Sequence, residues 1–161
     1  MLKRLFVVLV ISLAIALQTA HAQRAVIVVR HAEKQDNSAD SALSSIGEAR
    51  AERLAKYLKD AGVTAIYVTQ LVRTAQTAEP LAKALGVKPI VIPLADQATL
   101  LEQVRTKHTN GVVLIVGHSG TVPRILQQLG AKEPVAIAED DYDNLFVLIP
   151  GATPALLKFH Y

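Results

Sequence analysis

At 161 residues and 51% hydrophobic content the chain has the length of one domain and enough apolar surface for a core, which excludes a disordered polymer. The absence of cysteine excludes disulfides, thiolate metal sites and cysteine nucleophiles, so stability has to come from packing. The formal charge of +3 falls to +1 once Lys3 and Arg4 are removed with the leader described next; with only four tyrosines and three phenylalanines, nothing supports nucleic-acid binding.

Lys3 and Arg4 precede an apolar run from Leu5 to Leu17, and Ala20-His21-Ala22 supplies the small-x-small pattern of a secretory cleavage site. The run is too short to span a bilayer comfortably. Residues 1–22 are therefore read as a cleaved signal peptide and residues 23–161 as the folded domain, periplasmic or secreted, with no stable membrane span after cleavage. Val26-Ile27-Val28-Val29 reads as a strand buried on both faces and ends on Arg30-His31-Ala32-Glu33. Gln35 to Ala42 is a polar loop, and Ser44 to Ala61 carries apolar residues at helical spacing, with Gly62 as its stop. Strand and helix then alternate: Ala65 to Thr69, Leu71 to Leu85, Pro89 to Pro93, Gln97 to Lys107, Val112 to Val116, and a helix from about Thr121 to Leu129. Leu145 to Ile149 and Ala155 to Phe159 read as closing strands. This alternation predicts an α/β fold, a three-layer α/β/α sandwich on a mainly parallel sheet.

Parallel sheets place ligand sites at the carboxyl ends of their strands. There the pattern delivers Arg30-His31 from the first strand, Gly117-His118 from the strand Val112 to Val116, and Arg73 from the helix after Thr69. Two guanidinium forks that never deprotonate, with two imidazoles, suit a phosphate. His31 is read as a nucleophile that attacks phosphorus, splitting hydrolysis into two steps. His118 is read as a donor to the phosphoryl oxygens as charge builds on them. Gly117 and Ser119-Gly120 let the backbone approach an anion.

These segments resemble the histidine phosphatase superfamily, with its phosphoglycerate mutase-like fold. Arg30-His31 is similar to the family's Arg-His-Gly hallmark, with Ala32 in place of the glycine. Leu43-Ser44 with Gly47 and Ala51 is similar to its Leu-Thr-x-x-Gly element, the stretch from Thr69 to Ala78 to its Ser-Ser-x-x-x-Arg-x-x-x-Thr-Ala segment, and Val116 to Gly120 to the segment of its second histidine. The resemblance implies a small exported bacterial member in which His31 carries a phosphohistidine and Arg30, Arg73 and His118 hold the phosphoryl group, with no cofactor and no metal. The general acid is less defined. Pro93-Leu94-Ala95-Asp96 puts Asp96 where many members carry a glutamate; Asp96 equally reads as the amino-terminal cap of the helix Gln97 to Lys107. Glu33 is the second candidate acid, against a solvating role beside Lys34.

Arg124 reads as a surface residue near the pocket rim, and His108 and His160 as surface histidines. Glu139-Asp140-Asp141 with Asp143 reads as a solvated loop, the other reading being a lid that disfavours highly anionic substrates. The expected function is that of an exported, metal-independent phosphatase with an open pocket for phosphorylated small molecules, saccharides or proteins. The competing readings are a catalytically weak or inactive phosphate-binding scaffold of the same fold, or a phosphohistidine phosphatase.

Overall fold

The computed structural model describes residues 24–161, so the segment read as a signal peptide lies outside the described residues. Ten elements follow: β1 (Ala25–Arg30), α1 (Ser45–Leu58), β2 (Val63–Val68), α2 (Val72–Leu85), β3 (Ile90–Val91), α3 (Gln97–Lys107), β4 (Val112–Gly117), α4 (Val122–Gln128), β5 (Asn144–Ile149) and β6 (Ala155–His160). They form a six-stranded sheet in the order β3-β2-β4-β1-β5-β6. β1, β2, β3 and β4 run parallel, while β5 runs antiparallel to β1 and β6 antiparallel to β5. The mainly parallel α/β architecture expected from the sequence is the one observed.

Side chains alternate across the sheet, so the central strands feed two cores. Val26 and Val28 of β1 join Val113 and Ile115 of β4 beneath α3 and α4, where Leu100, Leu101, Val104, Val122, Ile125 and Leu126 close the layer. Ile27 and Val29 join Leu114 and Val116 on the opposite face, against Leu54 and Leu58 of α1 and Leu81 of α2. Each aliphatic side chain buried this way contributes on the order of 1.5–3 kcal/mol. Strands covered on both faces read as unbroken apolar runs, and for that reason the sequence showed them clearly.

β3 is a pair of residues rather than the expected Pro89 to Pro93. Proline has no N–H to give a ladder, and two of them confine this edge strand to Ile90–Val91. α1 stops at Leu58, short of Ala61, with Ser44 capping it by accepting from the Gly47 N–H at 3.2 Å. Gly47 is fixed by space. The first turn of α1 lies on the segment after β1, where the Ser44 N–H donates to the Glu33 carbonyl at 2.9 Å. A Cβ on Gly47 would overlap that same carbonyl oxygen.

The sheet order places the site. β1 and β4 are neighbours, with Arg30 opposite Gly117. The helix after β1 packs on one face of the sheet and the helix after β4 on the other. Their chains part at the carboxyl ends, leaving a crevice between the two loops.

Candidate active site

The crevice holds His31 and His118. The His31 N–H donates to the Gly117 carbonyl at 2.9 Å, continuing the β1–β4 ladder by one residue. The two rings then meet edge to face, centres 5.1 Å apart and planes at 61°. Nδ1 of His31 lies 2.7 Å from the Ala32 carbonyl oxygen. A carbonyl only accepts, so Nδ1 carries the proton and Nε2 keeps its lone pair. Burial, only partly offset by the Ala32 hydrogen bond, pushes the His31 pKa down to about 3; His118, Arg73 and Arg30 add to the fall. Burial likewise lowers His118 to about 4, with Arg73 and Arg30 contributing. Both imidazoles are therefore neutral at neutral pH, and His31 holds a nucleophilic nitrogen in a fixed tautomer.

Ala32, where the hallmark has glycine, sits on ordinary backbone, since no described non-glycine residue has a positive φ. Its methyl is buried with Leu43 and Ala51, so the side chain fills a small satellite core. Its N–H donates to Thr77 Oγ1 at 3.0 Å, and that hydroxyl donates to the Arg73 carbonyl at 2.7 Å. Thr77 thus ties the loop carrying His31 to the helix carrying Arg73.

Arg30 is 3% exposed. Its Nη1 donates to the carbonyls of Ala138 (2.8 Å), Glu139 (2.9 Å) and Asp141 (3.4 Å), and its guanidinium carbon stands 4.0 Å from the centre of the Tyr142 ring. Arg73 donates from Nη1 to the Ala39 carbonyl at 3.0 Å, using the polar loop after β1 as a bracket. The Nε atoms of both arginines are buried without a hydrogen-bond partner. An unsatisfied buried donor costs about 1–3 kcal/mol, and more when charged. Two of them around one histidine pair are a demand for an anion.

The remaining predicted residues divide. Asp96 is the cap: its Oδ1 accepts from the Thr99 N–H at 3.1 Å. It shares an apolar cleft with Thr69, Gly117 and Thr121, but bonds to neither histidine. Glu33 pairs with Arg50 rather than with Lys34, accepting from Nη2 at 2.6 Å and from Nε at 2.9 Å. Burial would raise its pKa, yet the Arg50 hydrogen bond, a backbone bond and the Arg50 charge together hold it below the usual carboxylate value. A carboxylate so held is a poor proton donor. His160 is exposed, as read, and His108 is half-buried; both have partners, His108 Nε2 lying 2.8 Å from the Tyr67 hydroxyl and His160 Nδ1 2.9 Å from Asp143 Oδ1. The acidic loop is more than solvated, because its carbonyls grip Arg30. Arg124 is exposed, beside Gln70 and Leu94.

Sequence reasoning gave no role to four residues at the site. Thr69 Oγ1 lies 3.1 Å from His118 Nε2, and Thr121 Oγ1 accepts from the His118 N–H at 3.0 Å. Thr77 and Tyr142 complete the set. Thr69 and Thr77 stand at motif positions and were findable there. Tyr142 carried no local signal.

Residues 26–96 match the model of the histidine phosphatase superfamily (branch 1), a span holding Arg30, His31 and Arg73. A probable phosphoglycerate mutase of Yersinia enterocolitica is 36% identical over 75 residues, which is 42% of this chain. The chain spans only 17% and 35% of the length of the curated relatives it matches. Among solved structures, a mycobacterial glucosyl-3-phosphoglycerate phosphatase superposes with a TM-score of 0.66 at 16% identity, covering 86% of this chain and 98% of that one. The protein histidine phosphatase SixA complexed with tungstate gives 0.62 at 17%, covering 84% and 96%. The structures share the fold; the family model and the mutase relative support the histidine phosphatase superfamily.

Proposed function

We propose that this chain is a phosphatase that hydrolyses phosphate monoesters through a phosphohistidine on His31, without a metal, and acts outside the cytoplasm. The observation that carries the reading is the pairing of a neutral His31, its Nε2 free, with two buried guanidinium Nε atoms that lack partners. In the first step the Nε2 lone pair forms a bond to phosphorus while the bond to the leaving oxygen breaks, the oxygen taking the electron pair. The Ala32 carbonyl keeps the Nδ1 proton and stabilises the positive charge that the ring acquires. In the second step water attacks phosphorus, the P–N bond breaks, and neutral His31 returns as phosphate departs and solvent takes the water's proton. Arg30, Arg73 and His118 are the groups proposed to hold the phosphoryl oxygens.

The substrate proposed is a phosphate on a small molecule, a saccharide or a protein, reached through an open mouth. One observation favours a second reading, that of a phosphohistidine phosphatase. Among the described residues no carboxyl group hydrogen-bonds to His31 or His118, so leaving groups that depart without a strong proton donor suit the site best. Export rests on the leader sequence, and among the described residues no helix is long and apolar enough to cross a membrane.

The test is hydrolysis of p-nitrophenyl phosphate with a chelator present, comparing the native chain with His31→Ala. Chelator-resistant activity that the substitution abolishes is the expected result. Phosphate binding without hydrolysis in the native protein would assign the chain to the scaffold reading instead.

A further inference from the structure

We infer that Tyr142 is a positioning residue that holds Arg30 for the phosphoryl group, an inference that rests on the phosphatase reading of the site. The loop from Ala138 to Tyr142 has no regular structure and is shaped by a turn in which the Asp141 N–H donates to the Ala138 carbonyl at 3.1 Å. Its carbonyls take Nη1 of Arg30 in three directions, at 2.8, 2.9 and 3.4 Å. Those bonds fix where the guanidinium lies in its own plane. They leave the face of the guanidinium uncovered.

Tyr142 covers that face. Its ring stands 4.0 Å from the guanidinium carbon, a cation–π contact made against a side chain that is 3% exposed. Such a contact is strongest where water is excluded. The same ring is 6.2 Å from that of His31, so it stands in the wall of the crevice beside the nucleophile. With Nη1 spent on the loop, the edge of Arg30 without a hydrogen bond is Nε together with Nη2. That edge presents two parallel N–H groups, the geometry that matches two oxygens of one phosphate. Its Nε is one of the two orphaned buried donors. The loop and the ring therefore form a clamp that leaves Nε unpartnered and Nη2 with only the exposed Glu139 carboxylate, 3.8 Å away.

The Tyr142 hydroxyl makes no hydrogen bond among the described residues, so the ring rather than the hydroxyl does the positioning. The test compares Tyr142→Phe, Tyr142→Leu and Tyr142→Gln in the full chain, reading KM and kcat for p-nitrophenyl phosphate and, by calorimetry, the affinity for inorganic phosphate. Losing the ring weakens phosphate binding and raises KM by about ten-fold, the factor that 1.4 kcal/mol represents, with kcat changing much less. Tyr142→Phe keeps native affinity. In an Arg30→Lys background, which lacks the fork, Tyr142→Leu adds little. Unchanged phosphate affinity in both ringless variants overturns the inference, and so does a Phe variant as weak as they are. The calorimetric arm needs no turnover. A chain that binds phosphate with this ordering but hydrolyses nothing would refute the phosphatase reading and leave the clamp standing. Two ringless variants that differ in polarity keep the test alive if one fails to fold.

Discussion

His31 and His118 meet edge to face at 5.1 Å, two bases in van der Waals reach and both depressed in pKa, to about 3 and about 4. Desolvation is the main cause in each, and the neighbouring cations deepen it. In an NMR titration neither ring gains a proton between pH 8 and pH 5. A midpoint near 6.5 for either would contradict the burial seen here. The linkage sign follows. An unfolded histidine titrates near 6.5, so between about pH 4 and 6.5 the unfolded chain binds more protons than the folded one. Stability from these two groups is full above 6.5 and is lost as pH falls through that window. The urea midpoint is therefore lower at pH 5 than at pH 7, and replacing His118 with Gln reduces the difference.

Thr77 is completely buried, and its hydroxyl both accepts from the Ala32 N–H and donates to the Arg73 carbonyl. Thr77→Val keeps the shape and strands the buried Ala32 N–H, while the Arg73 carbonyl keeps its helical partner. The expected cost is about 1–3 kcal/mol in denaturant unfolding. Activity falls further than stability, because the residue whose carbonyl fixes the His31 tautomer loses the anchor on its N–H. Full activity in a destabilised Thr77→Val protein would separate the hydroxyl from the chemistry.

What the sequence made legible was whatever lay at the end of an apolar run. Arg30 and Gly117 end strands buried on both faces, His31 and His118 follow them, and Arg73 opens a helix just after another; periodicity and strand-end logic reach all of them. Partners of those residues are another matter. Arg30 is held by carbonyls more than 100 positions away, and a loop carbonyl has no signature in the residue type that bears it. Tyr142 sits in an acidic stretch that looks solvated from composition alone. Glu33 finds Arg50 through the packing of α1 on the loop after β1, rather than through its neighbour Lys34. β3 shrank because its flanking prolines outweigh its apolar residues.

Asp96 separates two roles by one atom. As the cap of α3 it needs an acceptor, which asparagine retains and alanine does not. Asp96→Ala therefore lowers stability by about 1 kcal/mol, whereas Asp96→Asn stays within about 0.5 kcal/mol of the native chain. Hydrolysis of p-nitrophenyl phosphate, whose leaving group needs no proton, is expected to be unaffected by Asp96→Asn. A selective slowing of alkyl phosphates in that variant would restore the proton-donor role to Asp96.

Glu139 supplies the last prediction through the division between its backbone and its side chain. The carbonyl of Glu139 holds Arg30 Nη1, while its carboxylate, 96% exposed, lies 3.8 Å from Arg30 Nη2. That position is on the edge of the guanidinium proposed to receive phosphate, so the carboxylate competes with the ligand there. Glu139→Gln removes the charge and leaves the backbone clamp in place. Inhibition by inorganic phosphate tightens in the variant by about two-fold at low ionic strength, and the gain fades as added salt screens an exposed pair. The measurement is the phosphate inhibition constant at low and high salt for both proteins. Weaker binding in Glu139→Gln would mean that the carboxylate orients Arg30 instead of occupying its free edge.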